Sequence, residues 1–167
     1  TYPVHADAAD AGYAAVFARR EEHARTTDDS AELVLRSVVG TSLRFATTFP
    51  EDERAVVVLG AAADDLYSMA DHPAAIETAR RLIADYPDTE RATLRGAWLT
   101  VAHASFDSEL FPEAEQAYLR VIDLSTPEDE DVADNLAAAV YKQGELLRSA
   151  GDTRGAAEHF LRCLLYT

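Results

Sequence analysis

Apolar residues return along this chain every three or four positions, the interval that places side chains on one face of an α-helix. Pro, Gly and short polar clusters interrupt the pattern. The first helix is predicted from Asp7 or Asp10 to about Arg25, with Tyr13, Val16 and Phe17 as its apolar stripe and Arg19 to Glu22 solvated. Thr26 to Ser30 reads as a turn in which Asp28, Asp29 or Ser30 caps a second helix. That helix runs to about Phe49 with Leu35, Val38, Phe45 and Phe49 on one face, and Pro50 ends it. A third spans about Asp52 to Ala70, and Pro73 suits the first turn of a fourth that carries Ala75, Ile76, Ala79, Leu82, Ile83 and Tyr86. Tyr86-Pro87-Asp88-Thr89 reads as a stop followed by a cap, before a fifth helix with Leu94, Trp98, Val101, Ala102 and Phe106 inward. Phe111-Pro112-Glu113 opens a sixth, with Ala114, Ala117, Tyr118, Val121 and Ile122 inward. Ser125-Thr126-Pro127-Glu128 reads as the opening of a seventh, running to about Ala150 with Val132, Leu136, Val140 and Leu147 inward. Gly151-Asp152-Thr153 turns the chain into an eighth, so the predicted class is all-α.

Within this pattern one template recurs. Small residues stand twelve apart at Ala63 and Ala75, at Ala102 and Ala114, and at Gly144 and Ala156. Leu59, Trp98 and Val140 precede the first small residue by four; Leu66, Ser105 and Leu147 follow it by three. Ala79, Tyr118 and Phe160 follow the second by four, and Leu82, Val121 and Cys163 come three later. The small pairs let two helices of a hairpin approach closely, while the larger residues fill the space beside a neighbouring hairpin. On this logic Trp98 faces inward, and a fully buried Trp truncated to Ala costs about 3–5 kcal/mol.

These residues resemble the tetratricopeptide repeat (TPR) family, and Gly151 to Phe160 is the most family-like segment. Ser105 and Ala79 depart from it, standing where the family has aromatics. The copies are 39 and 42 residues apart, against the family's roughly 34, so the turns or the A helices carry extra residues. The resemblance implies a right-handed α-α superhelix of about eight antiparallel helices in four hairpins. Residues 1–50 would form an N-terminal hairpin or degenerate repeat, followed by repeats at 51–88, 89–126 and 127–167. It further implies a concave groove lined by the A helices. Matched positions are Asp64, Tyr67 and Ser68, then Leu99, His103, Phe106 and Asp107, then Tyr141, Lys142, Glu145 and Arg148. This aromatic and polar mixture suits an extended peptide or a partner helix, and some of the aromatics equally suit packing between repeats. Asp64 and His103 stand where the family's chaperone-tail clamp uses Asn, so that specificity is not implied. Phe49-Pro50-Glu51 and Tyr86-Pro87-Asp88, closing B helices, are similar to envelope-associated bacterial TPR proteins. They imply the periplasm or the inner face of the outer membrane, with the cytoplasm as the alternative.

Composition narrows the partners. The 167 residues carry 30 acids against 15 bases, a net charge of −15, and Lys142 is the lone lysine. Nucleic acids and anionic membranes need clustered cations, so neither is expected as a partner. Asp107 to Asp134 holds ten acids and only Arg120, a local charge of −9 that either steers a basic partner or forms a solvated face. No apolar run reaches the ~18–20 residues of a membrane span. Cys163 is the lone cysteine, which excludes an internal disulfide; its slot in the template suggests a buried thiol. The chain begins at Thr1 without Met and stops just after a B helix, which reads as a piece of a longer protein with neighbouring repeats.

No catalytic constellation stands out. His5, His23, His72, His103 and His159 are scattered without ligand spacing, and no Gly-rich phosphate loop occurs. His103 and Asp107 share a helical face near Ser105, but a nucleophilic triad needs another geometry. Asp64-Asp65 and Glu128 to Asp131 are acidic without the Gly-turned loop of a calcium site. The expected function is therefore a non-catalytic protein–protein interaction scaffold, with no cofactor or metal. The alternatives are an accessory or regulatory domain of a larger enzyme, and a small-ligand binder using the region of Tyr67, His103 and Tyr141.

Overall fold

The computed structural model describes residues 7–127 and 132–166; His5 and the acidic run Glu128 to Asp131 lie outside them. The described residues form eight helices and no strand: α1 (Asp7–Arg25), α2 (Ala31–Thr48), α3 (Glu53–Ser68), α4 (His72–Asp85), α5 (Arg91–Asp107), α6 (Phe111–Leu124), α7 (Ala133–Ser149) and α8 (Thr153–Cys163). The chain divides into two compact units, Thr1–Thr78 and Ala79–Thr167, with the division inside α4.

In the first unit α1 packs on α2 and α2 on α3. Val16, Val38, Phe45, Ala46, Val58 and Leu59 form the core. Gly12 permits the approach of α1, because a Cβ there would lie 3.1 Å from the rings of Phe45 and Phe49. Phe17 does not join the apolar stripe expected of it: it is 59% exposed, and Val16 alone of α1 is fully buried. Arg54 ties the unit together. Its guanidinium donates to Asp52 at 2.8 and 2.7 Å, pairs with Asp10 at 2.8 Å, and lies 4.9 Å from the centre of the Tyr13 ring. Asp52 also caps α3 by accepting from the Arg54 amide at 2.9 Å. The Arg54 hydrogen bond holds the Asp52 carboxyl at about 2.

In the second unit α5 packs on α6, α6 on α7 and α7 on α8. Val101, Ala102, Ala114, Tyr118, Val121, Leu136 and Val140 are sealed within it. The seventh helix begins at Ala133 rather than near Ser125. Ser125 instead closes α6: its hydroxyl donates to the Val121 carbonyl at 2.8 Å and accepts from Arg95 Nε at 2.9 Å. Arg91 covers the same helix end, donating to the carbonyls of Asp123 at 2.7 Å and Leu124 at 2.9 Å, which opposes the negative end of the helix dipole. The cap expected at Thr89 is likewise displaced, since Glu90 occupies the N-cap of α5 without a side-chain bond. Ile122 is 41% exposed rather than inward. Cys163 is only part-buried, beside the carbonyls of His159 at 3.4 Å and Ala137 at 3.5 Å, and burial raises its thiol pKa.

The small-residue template has a direct structural counterpart. Ala63, Ala75, Ala102, Ala114, Gly144 and Ala156 are all buried. At Gly144 the approach is closest, since a Cβ would lie 2.7 Å from the Phe160 ring. Seven residues after each first small residue the backbone turns left-handed, at Ala70 (φ 56°), Glu109 (φ 61°) and Gly151 (φ 87°). The next amide then reaches back five residues, from Asp71 to Leu66 O at 3.0 Å, Leu110 to Ser105 O at 2.8 Å, and Asp152 to Leu147 O at 2.9 Å. This is the Schellman closure of a helix, made three times. The α1–α2 turn lacks it. Its bonds are Thr26 to His23 O and Ala31 to Asp28 O.

Link length, not helix length, accounts for the unequal spacing. The helices α4 and α6 each have 14 residues, and α5 and α7 each have 17. The link from α4 to α5 covers residues 86–90 and that from α6 to α7 covers 125–132. The second link is three residues longer, which is the whole difference between the 39- and 42-residue intervals.

Candidate functional site

The residues matched to a groove fall in both units. In the first, Asp64 is exposed and Tyr67 is part-buried, its ring edge-on to His72 at 5.6 Å. Ser68 donates its hydroxyl to the Asp65 carbonyl at 2.7 Å. In the second unit two rings of α5 turn toward α6: His103 lies 5.7 Å from Tyr118 and Phe106 lies 5.4 Å from Phe111. Both are part-buried, so their aromatic surface is largely packing, and Ser105 between them is fully buried with no hydrogen-bond partner for its hydroxyl among the described residues.

The residues on α7 differ. Tyr141, Glu145 and Arg148 follow one another at i, i+4 and i+7 on one helical face. Tyr141 is 47% exposed although its ring rests 5.4 Å from Phe160. Arg148 donates to Glu145 at 3.1 Å, and Lys142 stands exposed beside Tyr141. Phe160 also fills the space that Gly144 leaves, so the smallest residue of α7 and the aromatic of α8 together fix the Tyr141 ring.

Beneath this face lies a polar group that the sequence pattern does not announce. Glu115 of α6 is buried, and it accepts from Arg162 of α8 and, at 2.7 Å, from Gln143 of α7. One acid of the −9 segment is therefore an internal tether of three helices rather than solvated surface. Glu113 is paired with Arg80.

Trp98, expected inward, is only part-buried. With Ile83, Pro87, Leu94 and Leu124 it walls an open cavity of about 300 Å³. Its truncation therefore costs less than the roughly 3–5 kcal/mol of a fully buried Trp. In the first unit a second depression is lined by Asp10, Glu51, Asp52, Glu53 and Arg54, and the Arg54 guanidinium binds two of its carboxylates. Among the described residues no group of three or more His, Cys, Asp or Glu side chains is placed to hold a metal ion. No helix among them is long and apolar enough to cross a membrane.

No protein-family model matches the chain, and no curated protein matches it. Among solved structures it is similar to the crystal structure of BtubC (BKLC) from P. vanneervenii. The identity is 13% and the TM-score 0.49, over 96% of this chain and 72% of that one.

Proposed function

We propose that this chain is a TPR-like repeat scaffold, curved as a right-handed superhelix, that binds a peptide or a partner protein without catalysing a reaction. The thrice-made Schellman turn with its buried small pair supports the repeat reading, because a solenoid reuses one supersecondary unit. The observation that carries the binding reading is Tyr141. A side chain that large is held in place by Phe160 yet left 47% exposed, next to an exposed lysine and an ion pair. Rigid, amphipathic aromatics of this kind serve as anchors at protein interfaces. On this reading His103, Phe106, Lys142, Glu145 and Arg148 contribute the binding residues of the second unit, and Asp64 and Tyr67 those of the first. Localisation in a bacterial envelope belongs to the proposal as well.

The test is selection of a random displayed-peptide library on the intact chain, followed by measured affinities for Tyr141→Ala and Arg148→Ala. Selected peptides should bind Tyr141→Ala at least about tenfold more weakly, the loss of a typical anchor. Peptides that bind both variants as well as the parent chain would remove α7 as the site.

A further inference from the structure

Helix α8 has little of its surface sealed. Among the described residues it buries Ala156 alone, whereas α6 buries six residues and α7 five. Two of its side chains hold it from different sides. Phe160 enters the notch at Gly144, and its ring lies 5.4 Å from that of Tyr141. Arg162 stands two residues on, roughly 200° around the helix, and donates to Glu115 of α6. Glu115 also accepts from Gln143 of α7 at 2.7 Å, so the latch point is fixed to the helix that carries Tyr141. A further bond, from the Cys163 thiol to the Ala137 carbonyl of α7 at 3.5 Å, is weak.

A helix with so few buried contacts opens at low free energy. With α8 away, Tyr141 loses the ring it rests on and regains its rotamers. We propose that α8 is a strap whose closure, latched by Arg162 on Glu115, sets Tyr141 for binding; this rests on the α7 site proposed above. Arg162 and Glu115 are then positioning residues that act on Tyr141 through Phe160. Linkage runs both ways, so a peptide seated on Tyr141 also holds the strap shut.

Amide hydrogen exchange in the intact chain reads the strap, and the nuclear Overhauser contact between the Tyr141 and Phe160 rings reads the seat. Arg162→Met should speed exchange of the α8 amides about tenfold and weaken the ring contact, while the amides of α5 keep their rates. Gly144→Ala should do the same from the other side, since its Cβ would lie 2.7 Å from the Phe160 ring. It decides the matter if Arg162→Met loosens α5 as well. Arg162→Lys should restore most of the protection. Arg154→Met, which removes an equal charge from an exposed position of α8, should change nothing. A peptide selected on the parent chain should slow α8 exchange and bind Arg162→Met about fivefold more weakly, the low end of common couplings. Rates that match the parent chain in both Arg162→Met and Gly144→Ala overturn the strap, as does an equal effect of Arg154→Met. A peptide that loses affinity for Tyr141→Ala yet binds Arg162→Met like the parent overturns the coupling and leaves the α7 site standing. A peptide indifferent to Tyr141→Ala removes that site and the coupling with it, while exchange and the ring contact still decide the strap.

Discussion

Ala70 and Glu109 hold a backbone geometry that an L-residue adopts at a cost, whereas Gly151 holds it freely. The three sites make the same Schellman closure, so they form an internal control. Ala70→Gly and Glu109→Gly should each stabilise their unit by about 0.5–1 kcal/mol, and Gly151→Ala should destabilise by about 1 kcal/mol. Urea denaturation of the single variants checks the signs; a stabilising Gly151→Ala would mean that the turn geometry is not the limiting factor. These turns were only partly legible. Gly151 signals its own turn, but Ala70 and Glu109 carry no turn chemistry, and only their offset from Ala63 and Ala102 reveals them. Trp98 was misread for a related reason. A periodic pattern says which face a residue occupies, not whether a neighbour closes over it.

The helices were legible because their cores follow local spacing, as in Ala114, Ala117, Tyr118 and Val121 on α6. What joins one helix to the next was not, because Glu115 and Arg162 are 47 residues apart and no local rule pairs them. Their environments differ: the Glu115 side chain is 11% exposed and that of Arg162 39%. Removing the arginine leaves a carboxylate in a dry site with Gln143 as its remaining donor, whereas removing the acid leaves a guanidinium that can reach water. Arg162→Met should therefore cost about 1–3 kcal/mol and Glu115→Gln under about 1 kcal/mol. Equal losses in urea denaturation would contradict the asymmetry.

The Asp52–Arg54 clamp makes an acid-limb prediction for the first unit. Asp52 lies near 2 when folded, below its ordinary 3.8, so its contribution is present above about 4 and fades as pH falls toward 2. Asp52→Asn lacks that contribution. The stability gap between the parent chain and Asp52→Asn should be full at pH 6 and narrow at pH 2.5; a gap independent of pH would assign Asp52 a purely neutral capping role.

At the scale of the whole molecule the dominant property is an excess of fifteen negative charges. The described ion pairs are mostly exposed and of short sequence range, such as Arg36–Glu32 and Arg154–Glu158, and each contributes little. Screening should therefore relieve more repulsion than it removes attraction. Raising NaCl from about 0.05 to about 0.5 M should lift the melting temperature by about 2–4 °C, the equivalent of roughly 1 kcal/mol for a chain of this size. A melting temperature that falls with salt would show that the ion pairs outweigh the net charge.

The three Schellman turns share one geometry, whereas the links between hairpins differ in length: 125–132 is three residues longer than 86–90. An epitope or protease-cleavage sequence spliced after Thr126 would enter where the architecture already tolerates variable length. The same insert between Met69 and Asp71 would sever the helix closure that Asp71, Leu110 and Asp152 make alike.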